Sequence, residues 1–205
     1  MAARELFGER GYEDTSIEDV LAASGVARGA LYHHFQSKAE LFDAVAEAVF
    51  AEVANLTNAA ARGGATPLER LRAGACAWLE IACDRAVQRI VLLDSPTVLG
   101  WVRWRALDEQ HSLGDLHASV RRLARERRVP AGQEEILARM LLAALNEAAL
   151  FITCADDEAA ALETASAAVD VLIDRLTREA ARKRRPSAVR SAGAGHPRRD
   201  PGGPR

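Results

Sequence analysis

The 28 residues from Thr15 to Phe42 carry three helix starts and one tight turn. Caps at that density leave room only for short helices crossing at steep angles. Thr15 with Glu18 has the capping-box spacing, in which a hydroxyl and a carboxylate each satisfy a free backbone N–H. A helix is therefore expected over about 16–23. Ser24, Gly25 and Val26 supply the turn, glycine being able to take the left-handed backbone that ends a helix. A second helix follows over about 27–35. Ile17, Val20, Leu21, Val26, Leu31 and Phe35 hold the inward positions of the pair, Leu31 and Phe35 at i and i+4. Ser37 with Glu40 repeats the box and opens a third helix.

This pattern is a helix-turn-helix, and the outward side of its second helix suits nucleic acid. Arg28 stands at the helix start, where a recognition helix points into the major groove, and can donate twice to guanine O6 and N7. Gly29 and Ala30 lack bulk, which lets backbone approach bases and lets Ala30 touch a thymine methyl. Tyr32, His33 and His34 suit phosphate oxygens, which fix register without reading sequence. Lys38 adds charge to a helix N-terminus, itself an anion site.

These residues resemble the TetR family of bacterial one-component transcriptional regulators. The match runs in order through Ala3 to Phe7, Gly11 and Tyr12, Thr15, Ile17 to Ala23, Gly25 and Val26, Gly29, Leu31 and Tyr32, His34 and Phe35, Lys38 and Leu41. The resemblance implies an all-α homodimer; no cofactor is expected, and the cysteine usage suits the cytoplasm. It implies a three-helix DNA-binding domain over 1–46 and a larger helical domain over 47–180 that binds a small molecule and dimerises. It further implies base contacts from Arg28 and Gly29, and phosphate contacts from Thr15, Tyr32, His33, His34 and Lys38, with Ser16 beside them. The expected role is a repressor released from a palindromic operator by a small molecule; an activator, or a regulator controlled by a protein partner, is the alternative on the same fold.

Charge departs from that pattern. Residues 1–50 hold four basic side chains, Arg4, Arg10, Arg28 and Lys38, against nine acidic ones, a net of −5. Phosphate neutralisation supplies much of a DNA reader's affinity. Family members usually carry another turn or two of basic helix ahead of Ala3, so the missing charge is expected either upstream of Met1 or elsewhere in the chain. Residues 181–205 are a candidate source, with eight basic side chains, one acid and a net of +7. Rich in Pro, Gly, Ser and Ala and poor in apolar residues, this tail is expected to be disordered.

Composition bounds the rest. A chain of 205 residues, 49% hydrophobic and 5% aromatic, can build one small DNA-binding domain and one sizeable core. Cys76 and Cys83 lie two helical turns apart and Cys154 is alone, so no disulfide framework is expected, as suits a reducing compartment. The most apolar stretch, Met140 to Ala155, is interrupted by Asn146 and Glu147 and is short for a membrane span. His111 and His117 are six apart, not the i, i+4 of a helical zinc pair, and no phosphate loop or nucleophilic triad occurs, so catalysis and metal binding are not expected.

Beyond the head, helices are expected over 38 to the late fifties, 67–84, 85–93, 99–128 with a break near Gly114, 133–154 and 157–181. The first of these puts Leu41, Val45, Ala48, Val49, Val53 and Leu56 on one face. Thr66, Pro67 and Glu69 form a further capping start. The penultimate helix is apolar nearly all round, so it must be covered on more than one side. Leu141, Leu145, Ala148 and Ile152, with Val169, Leu172 and Leu176 of the last helix, are the expected dimer contacts in a four-helix interface. Trp78, Leu93, Trp101 and Trp104 are expected to wall a largely apolar or aromatic effector pocket, with Asp94, Arg105, His111, His117 and Asn146 as groups able to orient a ligand.

Overall fold

The computed structural model describes residues 1–182. Among them the chain is all helical, without strands. The expected basic tail lies outside the described residues, except for its first two positions at the end of the last helix.

Helices α1 (Ala2–Arg10), α2 (Ile17–Ser24) and α3 (Arg28–His34) form the head. The cap of α2 sits one residue later than expected. Ser16, not Thr15, is the N-cap: its hydroxyl accepts from Asp19 N–H at 3.1 Å while the Asp19 carboxylate accepts from Ser16 N–H at 2.9 Å. Thr15 is fully buried, its hydroxyl donating to the Gly11 carbonyl at 2.8 Å with the Leu6 carbonyl at 3.2 Å. The end of α1 thus captures it. Gly25 closes α2 in the left-handed conformation at φ 68°, as the turn requires. Val26, expected inside, follows that turn and is exposed.

Helix α4 (Lys38–Ala61) runs from the head into the body. Ser37 caps it from Glu40 N–H, but the Glu40 carboxylate accepts from Gln36 N–H at 2.7 Å, so the box is completed one residue early. Its inner face is Leu41, Phe42, Ala46, Val49, Phe50, Val53 and Ala54; Ala48 and Leu56 lie on the solvent side. Helix α5 (Pro67–Ile81) begins at the expected Thr66 and Glu69 box with proline in its first turn.

A short α6 (Arg85–Val87) passes into a π-helical segment, Gln88–Asp94, and then α7 (Ser95–Val98). Helix α8 (Gly100–Asp108), a π-helical turn (Glu109–Leu113) and α9 (Gly114–Arg125) follow. The break expected near Gly114 is thus a change of helical pitch. Helices α10 (Glu134–Thr153) and α11 (Glu158–Arg182) complete the body.

One apolar core runs from Leu6 to Ile173. Head and body meet where Gly8 of α1 packs on α6, so closely that a Cβ there would lie 2.6 Å from that of Ala86. Phe42 ties α4 to the head, its ring 5.1 Å from Phe7 and 5.2 Å from Tyr12, both edge-on. Arg103 of α8 clamps α4 through Asp43 and Glu47, each at 2.9 Å. Helix α10 is long and apolar enough to cross a membrane by length and composition. Here it is a core helix: Ala138, Leu141, Leu142, Leu145, Ala149 and Ile152 are buried, and it packs on α5, α9 and α11.

Candidate nucleic-acid interface and internal cavity

On α3, Arg28, Gly29, Ala30, Tyr32, His33 and His34 are all exposed. Gly29 has open space where a side chain would stand. The Arg28 guanidinium pairs with Glu18 of α2 and lies 5.6 Å from the centre of the Tyr32 ring. Other basic side chains of the head are also engaged. Lys38 donates to the Tyr12 carbonyl at 2.9 Å and sits 4.1 Å from that ring's centre; Arg4 pairs with Glu52 and Arg10 with Asp19 at 3.9 Å. Each of the four cations of residues 1–50 therefore already has a protein acceptor. Ser16 is exposed but holds Asp19, and Thr15 lies in the core, so the expected phosphate contact from Thr15 is corrected: no surface of it is available.

A cavity of about 100 Å³ lies between α4, α5, α8, α9 and α10. Phe50, Leu71, Trp78, Trp104 and Leu142 give it an apolar wall, and Asp108, His111 and Asn146 are among its polar groups. Both indole N–H groups are engaged elsewhere, Trp78 donating to the Leu145 carbonyl at 3.1 Å and Trp104 to that of Val91 at 2.9 Å. Each tryptophan so presents ring surface to the cavity. Of the residues expected here, Trp78, Trp104, His111 and Asn146 line it, whereas Leu93, Trp101 and Arg105 do not. Trp101, on the first turn of α8, is 65% exposed and packs its ring 4.9 Å from that of Trp104. Leu93 is exposed, and Arg105 turns to Asp108 and Glu109. Asp94 and His117 also lie off the cavity.

Asp108 is the residue that sequence reasoning missed. It is 3% exposed and accepts from the Asn146 amide at 2.9 Å, with Arg105 at 3.7 Å. Burial pushes its carboxyl up to about 6 despite the opposing pull of both partners. Its spacing from Arg105 reads in the sequence as an ordinary surface pair. The following π-helical turn carries His111, whose Nε2 is buried without a partner among the described residues and whose ring stacks on Phe50 with centres 6.5 Å apart. Single π-helical turns of this kind recur at functional sites.

The segment Gln88–Asp94 joins cavity and head. Val91 and Leu92 line the cavity. Asp94 accepts from Tyr12 N–H at 2.8 Å, and Arg89 donates to the Arg10 carbonyl at 3.3 Å. The same seven residues thus touch the cavity on one side and the α1–α2 loop on the other.

The expected dimer contacts divide. Leu141, Leu145, Ile152 and Val169 are buried inside the protomer, Leu145 against the cavity, so they are not contact surface. Ala148 and Leu176 are half-buried and Leu172 exposed. The outward apolar face is instead Ile136, Met140, Phe151, Val171 and Leu172. No group of three or more His, Cys, Asp or Glu able to hold a metal occurs among the described residues.

Comparison with known proteins matches these two parts in chain order. The description "Bacterial regulatory proteins, tetR family" fits residues 1–45, and "Tetracyclin repressor-like, C-terminal domain" fits residues 68–176. A TetR-family transcriptional regulator of Pectobacterium atrosepticum, solved as a crystal structure, is 34% identical, covers 86% of this chain and 90% of its own, and superposes with a TM-score of 0.75. The TetC protein of transposon Tn10 in Escherichia coli is 26% identical over 147 residues, 68% of this chain and 71% of its own. The repressor KstR2 of Mycobacterium tuberculosis is 35% identical over 74 residues, 34% of this chain and 35% of its own. With both parts of its length matched, this chain belongs to the tetR family and is a transcriptional regulator, not an enzyme.

Proposed function

We propose that two copies of this chain pair through α10 and α11, read a palindromic operator with α3, and release it when a small molecule fills the cavity. The observation that carries this reading is the segment Gln88–Asp94, which walls the cavity with Val91 and Leu92 and holds Tyr12 with Asp94. A ligand that moves the wall moves the hold on the head. It acts only by binding one state better than the other, and coupling of about 1–3 kcal/mol is the usual scale.

In this reading Arg28, Gly29 and Ala30 face base edges, and Tyr32, His33 and His34 face phosphates, with Ser16 and Lys38 at the flanking helix starts. Arg28 must exchange Glu18 for a base to do so. The outward face of Met140, Phe151 and Leu172, with the small Ala144, Ala148 and Ala168 between, supports a two-fold pair. Two recognition helices would then sit about 34–36 Å apart, or a multiple of that. A solved neighbour of the same fold, RolR, is 17% identical over 87% of each chain with a TM-score of 0.66 and was crystallised with the ligand resorcinol; this supports a small-molecule effector. In this reading the protein works in the bacterial cytoplasm, where its operator would lie.

Sequencing the DNA retained by the purified protein identifies the operator, and a reporter behind that operator tests the direction of control. Repression lifted by a small molecule supports the reading; output that requires the protein refutes it in favour of activation. Sedimentation of the free protein as a monomer at operator-saturating concentrations would remove the dimer.

A further inference from the structure

The cavity's chemistry selects among ligand classes. At about 100 Å³ it is of the same order as the cavity of roughly 150 Å³ that takes benzene, so a single ring is the natural occupant. Trp78 and Trp104 face it with indole N–H groups already donated to the carbonyls of Leu145 and Val91, and Phe50 adds a further apolar surface. Two of the lining residues have polar capacity left over. His111 Nε2 is buried without a partner among the described residues, and Asp108, 3% exposed, is bonded by Asn146 through Oδ2. An unsatisfied buried polar atom is costly, and a ligand that satisfies it recovers that cost.

We propose that this cavity takes a neutral single-ring phenol, its hydroxyl donating to the Asp108 carboxylate and accepting from His111 Nε2–H. The inference rests on the reading of this cavity as the effector site. An aromatic carboxylate is disfavoured because Asp108 and Asp115 both line the cavity, while Arg70, the one Arg or Lys lining it among the described residues, donates its Nε to the Gly64 carbonyl at 2.8 Å. An aromatic ammonium is disfavoured because both lining carboxylates are already engaged, Asp108 accepting from Asn146 and standing 3.7 Å from Arg105, and Asp115 accepting from Asn58. A hydroxyl carries no charge and is both donor and acceptor.

The test titrates the full chain, without DNA, with p-cresol, toluene, benzoate and benzylamine, followed by calorimetry and tryptophan fluorescence. We expect p-cresol to bind about tenfold more tightly than toluene, the equivalent of one net hydrogen bond, and neither ion to compete with it. His111→Leu should erase the difference between p-cresol and toluene while leaving toluene affinity within about threefold, which reports an intact fold. Equal binding of p-cresol and toluene to the wild type, tighter binding of either ion, or no binding of any single-ring ligand overturns the proposal. Operator affinity is measured separately by anisotropy. p-Cresol that binds as expected without weakening operator binding supports the ligand class and refutes the effector reading, whereas release by another ligand with no p-cresol binding does the reverse.

Discussion

Asp108→Asn should stabilise the protein at neutral pH, and the pH dependence identifies the cause. Asp108 is almost wholly buried, and its carboxyl is pushed from 3.8 up to about 6 by desolvation that Asn146 and Arg105 do not offset. In the unfolded chain it ionises near 3.8; in the folded protein it stays protonated until about 6. Between those values folding takes up a proton, so stability falls as pH rises, by about 1.4 kcal/mol per pH unit. The full difference of about two units corresponds to roughly 3 kcal/mol lost by pH 7, after which both states are ionised and the loss is complete. Asparagine does not titrate and keeps an oxygen to accept from Asn146. Urea unfolding of wild type and Asp108→Asn at fixed protomer concentration, from pH 4 to pH 7.5, measures the difference. At pH 4 the two proteins should lie close together, and by pH 7 the variant should lead by about 2–3 kcal/mol. A difference that stays flat across that range, or that grows in the wild type's favour, refutes the claim that burial dominates this carboxyl.

Three further outcomes follow from the contacts. Glu18→Gln removes the negative charge that holds Arg28 while keeping an oxygen to accept from it, so non-specific DNA affinity at low salt should rise by about two- to fivefold and the gain should vanish at high salt, the signature of an exposed ion pair; unchanged affinity in a salt series argues that Glu18 does not compete for Arg28. Thr15→Val strips the hydroxyl that bonds the end of α1, and should lower stability by about 1–2 kcal/mol while the folded protein keeps its DNA affinity; affinity lost alike on every DNA sequence would restore Thr15 to the phosphate contacts. Asp94→Ala deprives Tyr12 N–H of its acceptor, and hydrogen exchange at Tyr12 should quicken by about tenfold or more while amides of α10 keep their protection. An unaltered Tyr12 rate would show that the segment Gln88–Asp94 does not hold the head.

Local signals in this sequence were legible because they depend on residues within four positions of each other. The left-handed turn at Gly25, the Thr66 and Glu69 box opening α5, and the breaks between body helices all needed no knowledge of distant neighbours. The error at α2 is of the same local kind. Thr15 with Glu18 and Ser16 with Asp19 share one spacing, and only the carbonyls of Leu6 and Gly11, presented by a folded α1, decide between them. Trp101 and Trp104 likewise look alike in the chain, but a carbonyl on Val91 and a cavity wait for only one of them.

By itself, then, the sequence determined an all-helical chain, a helix-turn-helix over residues 15–42, the open face of Arg28, Gly29 and Ala30, and membership of its family. Tertiary structure alone decided which side of the all-round apolar α10 turned inward, so that Leu141, Leu145 and Ile152 became core while Met140 and Phe151 stayed outside. It also decided that Asp108 would be buried beside His111 and Asn146, and that Gln88–Asp94 would touch both cavity and head. Caps and turns are short-range hydrogen bonds written into neighbouring residues, whereas a cavity and a coupling segment are made by residues far apart in the chain, from α4 to α10, which acquire a common environment only when the helices pack.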